Sequence, residues 1–163
     1  MKTLLLMRHA KSSWKDDSLD DHDRPLNKRG KRDAPRMGEL LRSENLVPDF
    51  VVVSSARRAR KTAEQVAFAA GYRGETRITG ELYAAGVEKL LQVVRQTPET
   101  VTRLLLIAHN PGLEELLELL TDVYSPLTTA AVAHLEVPAP SWQDFSQQMR
   151  APLLRIWQPR ELA

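Results

Sequence analysis

Short apolar runs alternate with longer segments in which apolar residues recur every three or four positions. Leu4-Leu5-Leu6-Met7 is a continuous run that stops on Arg8 and His9. Asp49 to Val53 is β-branched, Thr76 to Ile78 is short, and Arg103 to Ala108 is the strongest run and stops on His109. Bounded runs of this length predict buried strands. Between them, Met37, Leu40 and Leu41 predict the inner face of a helix over Lys28 to Ser43, with Asn27 as its N-cap. Pro35 is tolerated only in a first turn, so the regular helix is expected to start near Asp33 or to bend there. Ala59, Ala63, Val66, Ala67 and Ala70 predict a second helix, capped by Ser54-Ser55 and ended by Gly71. Val87 to Gln96 predicts a third. Leu113, Leu116, Leu117 and Leu120 predict a fourth, opened by Asn110-Pro111 as cap and first residue.

Ala130 to Val137 and Pro152 to Trp157 read as two final strands, and Pro138 to Arg150 fits no element. Lys11 to Asn27 reads as a long polar loop in which Trp14 is the largest apolar side chain. Loops of that length in compact domains are often functional. Strands alternating with helices predict a three-layer α/β/α sandwich with a mostly parallel sheet. No repeat, linker or low-complexity tract interrupts it, so residues 1–163 are expected to form one domain.

Composition narrows the function. No stretch approaches the ~20 apolar residues of a membrane span, and Arg8 arrives too early for a secretory signal. The chain has no cysteine, which excludes disulfides, thiolate catalysis and a Cys-based zinc site. A cytoplasmic location is the expectation. The net charge of +2 is mild and mixed along the chain, so neither nucleic acid nor membrane is an expected partner. Cations crowd locally, however, at Arg57, Arg58, Arg60 and Lys61 and between Arg24 and Arg36. A helix dipole disfavours cations in a first turn, and a bound anion would offset that.

Three strand-to-helix junctions therefore carry the candidate chemistry: Arg8-His9, Ser54 to Arg58, and His109-Asn110. Ligand sites of open α/β sheets lie outside the carboxyl ends of the strands. His22 sits in an Asp-rich loop and His134 in a strand pattern, and neither marks a site as clearly. No HxH, HExxH or EF-hand spacing is present, and Asp20, Asp21, His22 and Asp23 do not supply one, so no metal or other cofactor is expected. GxGxxG, P-loop and GxSxG patterns are also missing.

Taken in order, these junctions resemble a known family. Leu6-Met7-Arg8-His9-Ala10 is similar to the Arg-His-Gly/Ala signature of the histidine phosphatase superfamily, the phosphoglycerate mutase-like proteins. Ser54-Ser55-Ala56-Arg57-Arg58-Ala59-Arg60-Lys61-Thr62-Ala63 resembles its Ser-Pro-Leu-x-Arg-Ala-x-Gln-Thr-Ala motif, which aligns the second arginine with Arg58. Ser55 replaces the proline and Lys61 the glutamine. Ala108-His109-Asn110-Pro111-Gly112 and Asp23-Arg24-Pro25-Leu26-Asn27-x-x-Gly30 resemble the SixA-type branch of phosphohistidine phosphatases. The likeness runs from residue 3 to about 137.

That resemblance implies His9 as a nucleophile attacking phosphorus. It implies Arg8, Arg58 and His109 around the phosphoryl oxygens, and Arg24 as a further substrate contact. Glu81 falls where several relatives carry a general acid, with Asp16, Asp17, Asp20 and Asp23 as rivals. Imidazole leaves with a conjugate-acid pKa near ~6.5, so a site with a weak acid suits phosphohistidine better than a sugar phosphate. Only about twenty residues separate the third strand from the Arg103 strand, too few for a sizeable cap over the pocket. The implied substrate is a phosphorylated protein side chain. A broad small-molecule phosphomonoesterase, a mutase and a non-catalytic phosphate- or phosphoprotein-binding module remain open, as does the oligomeric state.

Overall fold

A computed structural model describes residues 1–162. Its centre is a six-stranded sheet formed by β1 (Lys2–Arg8), β2 (Phe50–Ser54), β3 (Thr76–Thr79), β4 (Arg103–Ala108), β5 (Val132–Val137) and β6 (Leu153–Trp157). The spatial order is β3-β2-β4-β1-β5-β6. The first four in this order pair in parallel, and β5 and β6 join antiparallel.

Four helices cover the faces: α1 (Lys28–Ser43), α2 (Arg57–Ala70), α3 (Val87–Arg95) and α4 (Gly112–Thr121). Strand alternation sorts the core into two layers, because successive side chains point to opposite faces. Leu4, Leu6, Leu104, Leu106 and Val52 pack with α3 and α4. Leu5, Met7, Leu105, Ile107, Val51 and Val53 pack with α1 and α2. This is the expected α/β/α sandwich. None of the described helices is long and apolar enough to cross a membrane.

Three local expectations need correction (the late start of α1 and the caps of α2 and α4), while the Lys28–Ser43 bounds and the Asn27 cap stand and residues 138–150 gain an assignment. α1 starts at Lys28, capped by Asn27, whose side chain accepts the Gly30 amide at 2.9 Å, and it runs through Pro35 to Ser43. Proline removes one intrahelical hydrogen bond, while Ala34, Met37, Gly38 and Leu41 hold the segment against its neighbours. Ser54 and Ser55 do not cap α2: Ala56 occupies the cap with no side-chain bond, because Ser54 is the last residue of β2. Pro111 takes the cap position of α4, one residue later than expected, and the Asn110 side chain donates to the Leu127 carbonyl at 2.9 Å instead. Residues 138–150 contain a 3₁₀ turn, Trp142–Asp144, that seats Trp142 and Phe145 fully within the α3/α4 core layer.

The loop between β1 and α1 is pinned. Ser12 bridges to Leu26, and Asp21–Asp23 form a 3₁₀ turn. A Cβ at Gly30 would collide with the Lys11 backbone, so glycine lets α1 lie directly against the segment that follows His9. Between β3 and β4 stand only a 3₁₀ turn, Gly80–Leu82, and α3.

Candidate active site

The carboxyl ends of β1, β4 and β2 lie side by side. Arg8 is in register with Ala108, so His9 and His109 are the first residues beyond two adjacent strands. The His9 amide donates to the Ala108 carbonyl at 3.1 Å, which ties the two exits together. The imidazole centroids are 5.0 Å apart. Ser54 ends the next strand and places its Oγ 2.7 Å from His109 Nε2.

His9 is 7% exposed, and its Nδ1 lies 2.7 Å from the Ala10 carbonyl oxygen. A carbonyl can only accept, so Nδ1 carries the proton and Nε2 carries the lone pair. Arg58 Nε donates toward that lone pair at 3.4 Å. Burial, with His109 and the guanidiniums of Arg58 and Arg8 adding to it against the Ala10 bond, pushes the His9 pKa down to about 3. His109 is pushed down to about 4, mainly by burial and then by Arg58. Both rings are neutral at physiological pH. Ser54 Oγ also accepts the Ala56 amide at 3.2 Å, so the hydroxyl ties His109 to the start of α2.

Three guanidiniums surround the pair. Arg8 donates to the Leu127 carbonyl at 3.1 Å. Arg24, 6% exposed, donates to Ser12 Oγ and lies with its guanidinium carbon 3.3 Å from the Trp14 ring centroid. Arg8 Nε and Arg24 Nε are buried without a hydrogen-bond partner. Thr62, one turn after Arg58, accepts the Ala10 amide at 3.0 Å and fixes α2 against the β1 exit. The cleft has a volume of about 360 Å³.

One carboxylate lines the cleft with these cations. Asp21 pairs with Arg58 at 3.0 Å and Arg24 at 3.3 Å and accepts the Tyr83 hydroxyl at 2.6 Å. The Tyr83 hydrogen bond, then Arg58, holds its carboxyl below the usual range despite some desolvation. Tyr83 also sets its ring edge-on to His109 at 5.6 Å and to His22 at 4.8 Å.

The structure thus brings together Arg8, His9, Arg24, Arg58 and His109. It does not bring Glu81 to them: the β3–α3 turn directs that carboxylate to Arg77, 3.9 Å away, outside the cleft lining. Asp16, Asp17, Asp20 and Asp23 do not line it either, and among the described residues Asp21 is the one carboxylate that does. Asp21, Tyr83 and the hydroxyl of Ser54 are the site groups that the sequence alone does not single out. Ser54 carries the clearest signal of the three, since it closes a third apolar strand as the histidines close theirs. His22, in the Asp-rich loop, hydrogen-bonds Ser55 Oγ at 2.9 Å beside Tyr83. Among the described residues no three His, Asp or Glu side chains converge as a metal site would need.

Residues 4–83 match the model of the histidine phosphatase superfamily (branch 1). An uncharacterized chloroplastic protein of Arabidopsis thaliana is 31% identical over 88% of this chain and 70% of its own. An uncharacterized protein of Mycobacterium tuberculosis is 36% identical over 78% and 76%. Among solved structures, a candidate phosphohistidine phosphatase SixA from Nakamurella multipartitia superposes with a TM-score of 0.85 at 29% identity, covering 97% of this chain and 96% of that one. Its counterpart from Agrobacterium tumefaciens gives 0.83 at 27%, over 97% and 98%.

Proposed function

Since the chain belongs to the histidine phosphatase superfamily in its SixA-like form, we propose that it is a phosphatase working through a phosphohistidine intermediate on His9. The substrate we propose is phosphohistidine in a protein. The observation that carries the reading is the fixed His9 tautomer: a neutral ring on the cleft wall, its Nδ1–H held by the Ala10 carbonyl, its Nε2 lone pair facing Arg58 Nε at 3.4 Å.

Nε2 attacks phosphorus, the bond from phosphorus to the leaving atom breaks, and the leaving atom takes that electron pair. Arg8, Arg58, Arg24 and His109 take the phosphoryl oxygens. Phosphoryl transfer is catalysed largely by position and charge stabilisation, and this cationic cleft supplies both. Water then attacks the phosphohistidine, the P–N bond breaks with its electron pair returning to Nε2, and inorganic phosphate is released.

The leaving group must accept a proton, and Asp21, held ionised by Tyr83 and Arg58, is poorly suited to give one. An imidazole needs little help to depart, because its conjugate acid has a pKa near ~6.5. An alkoxide needs far more. The lack of a sizeable insertion between β3 and β4 also suits a substrate as large as a protein side chain.

His9→Ala is expected to lower turnover by at least about 10³-fold, with His9→Asn equally inactive. Wild type quenched in alkaline detergent should carry a covalent phosphoryl group that the variants lack. Turnover surviving in His9→Ala would overturn the mechanism. Phosphate binding without turnover would make the chain a binding module. A kcat/KM for sugar phosphates matching that for a phosphohistidine peptide would make it a broad phosphomonoesterase.

A further inference from the structure

Beside the cleft lies a basic surface that the phosphoryl chemistry does not use. Lys15, Lys28, Lys31, Arg57, Arg60 and Lys61 are exposed and line two adjoining grooves of about 380 and 600 Å³. Pro25, Leu26, Lys31 and Arg57 border both, so the grooves are continuous. The one acid on their border, Glu64, pairs with Lys61 at 3.2 Å. Among the described residues Lys15, Lys28, Lys31, Arg57 and Arg60 form no ion pair with a carboxylate, while Arg29, a further cation on the second groove, pairs with Asp33 at 3.6 Å. Lys28 and Arg57 are the first residues of α1 and α2, where the helix dipole opposes a cation.

The surface shares its walls with the cleft. Along residues 11–15, Lys11, Ser12 and Trp14 line the cleft while Ser13 and Lys15 line the groove. At the start of α2, Arg58 faces the cleft and Arg57 the grooves. Arg57 also reaches the Asp23 carbonyl at 3.4 Å, in the same turn whose Asp21 pairs with Arg58. A partner with a side chain in the cleft therefore meets the basic grooves next.

We propose that these grooves dock an acidic protein surface surrounding the phosphorylated side chain; this rests on the reading that the cleft takes a phosphoprotein. Half-buried Pro25 between charged walls, with Trp14 72% exposed at the cleft, gives an apolar element inside a polar rim, as in a protein interface. Neither groove is bordered by an aromatic side chain, and sequence-tolerant nucleic-acid grooves stack bases on aromatics.

The test uses two synthetic peptides with the same central histidine, one flanked by glutamates and one by glutamines. Calorimetry on the unphosphorylated pair reads docking alone. The glutamate peptide is expected to bind at least about tenfold more tightly at low salt and to lose that advantage as salt rises. Lys28→Glu/Lys31→Glu/Lys61→Glu should remove the preference while still hydrolysing the phosphorylated glutamine peptide like wild type. The wild-type salt series probes the same docking without any substitution. Equal binding of both peptides, or a preference untouched by the triple substitution and by salt, overturns the proposal. So does a single-stranded oligonucleotide that binds more tightly than the glutamate peptide at about 150 mM salt. Failure of wild type to hydrolyse either phosphorylated peptide would instead remove the phosphohistidine reading, with docking still judged by the calorimetry.

Discussion

Two imidazoles 5.0 Å apart, ringed by Arg8, Arg24 and Arg58, would repel strongly if either carried charge, and burial keeps both neutral. This has a measurable consequence for stability. The unfolded pKa is near ~6.5, and the folded values are about 3 and about 4. Above pH ~6.5 the rings are neutral in both states and the fold loses nothing to them. As pH falls below that, the unfolded chain takes up protons that the folded chain refuses. Stability therefore declines until the folded rings themselves titrate. The melting temperature of the wild type should drop more steeply between pH ~6.5 and ~4 than that of His9→Asn/His109→Asn, and equal slopes would contradict the depressed values. Asp21 offers a second test. Its carboxylate competes with phosphate for Arg58 and Arg24, so Asp21→Asn should tighten inorganic phosphate binding several-fold. A proton donor there would instead show as a large loss of kcat on alkyl phosphates. The histidines were legible because each follows an apolar strand, and Arg58 because the family motif aligns with it and not with Arg57, which opens α2. Asp21 was not, since only the folded loop sets it apart from Asp20 and Asp23.

At the level of elements, α1 and α2 meet at Gly38. A Cβ there would stand 2.5 Å from the Val66 carbonyl oxygen and 2.8 Å from the Ala69 Cβ. Gly38→Ala should destabilise the protein by about 1–3 kcal/mol in urea titrations, the usual range for overpacking. The same helices brace the cleft, Gly30 against Lys11 and Thr62 against Ala10, so activity should fall with stability in Gly30→Ala. The 138–150 segment carries a larger load. Trp142 is fully buried and donates its indole N–H to the Val101 carbonyl at 2.8 Å. Trp142→Ala should cost about 3–5 kcal/mol while leaving phosphate affinity of the folded fraction unchanged. Periodicity locates the helices and strands. It cannot locate this plug, since Trp142 and Phe145 are three apart on a 3₁₀ turn between prolines and polar residues. The caps depart from expectation for a related reason. Ser54 is bound to His109 and Asn110 to Leu127, so the residues best suited to cap α2 and α4 are committed to the site.

For the whole molecule, the parallel order β3-β2-β4-β1 decides everything about the cleft. It places the exits of β1, β4 and β2 next to one another, which no sequence spacing reveals by itself. The antiparallel pair β5 and β6 then completes the sheet on the far side of β1, and the residues leading into β5 return to the site: the Ala130 amide donates to the His9 carbonyl at 3.0 Å. A single atom of this frame bears on inheritance. The acceptor that orients the nucleophile is the main-chain oxygen of Ala10, and every amino acid brings that oxygen with it. A replacement at position 10 that the backbone tolerates therefore leaves the orientation of His9 in place. Descendants of this chain are free to drift in what they recognise, in charge, and in the choice of proton donor, and still pass on a ring ready to attack.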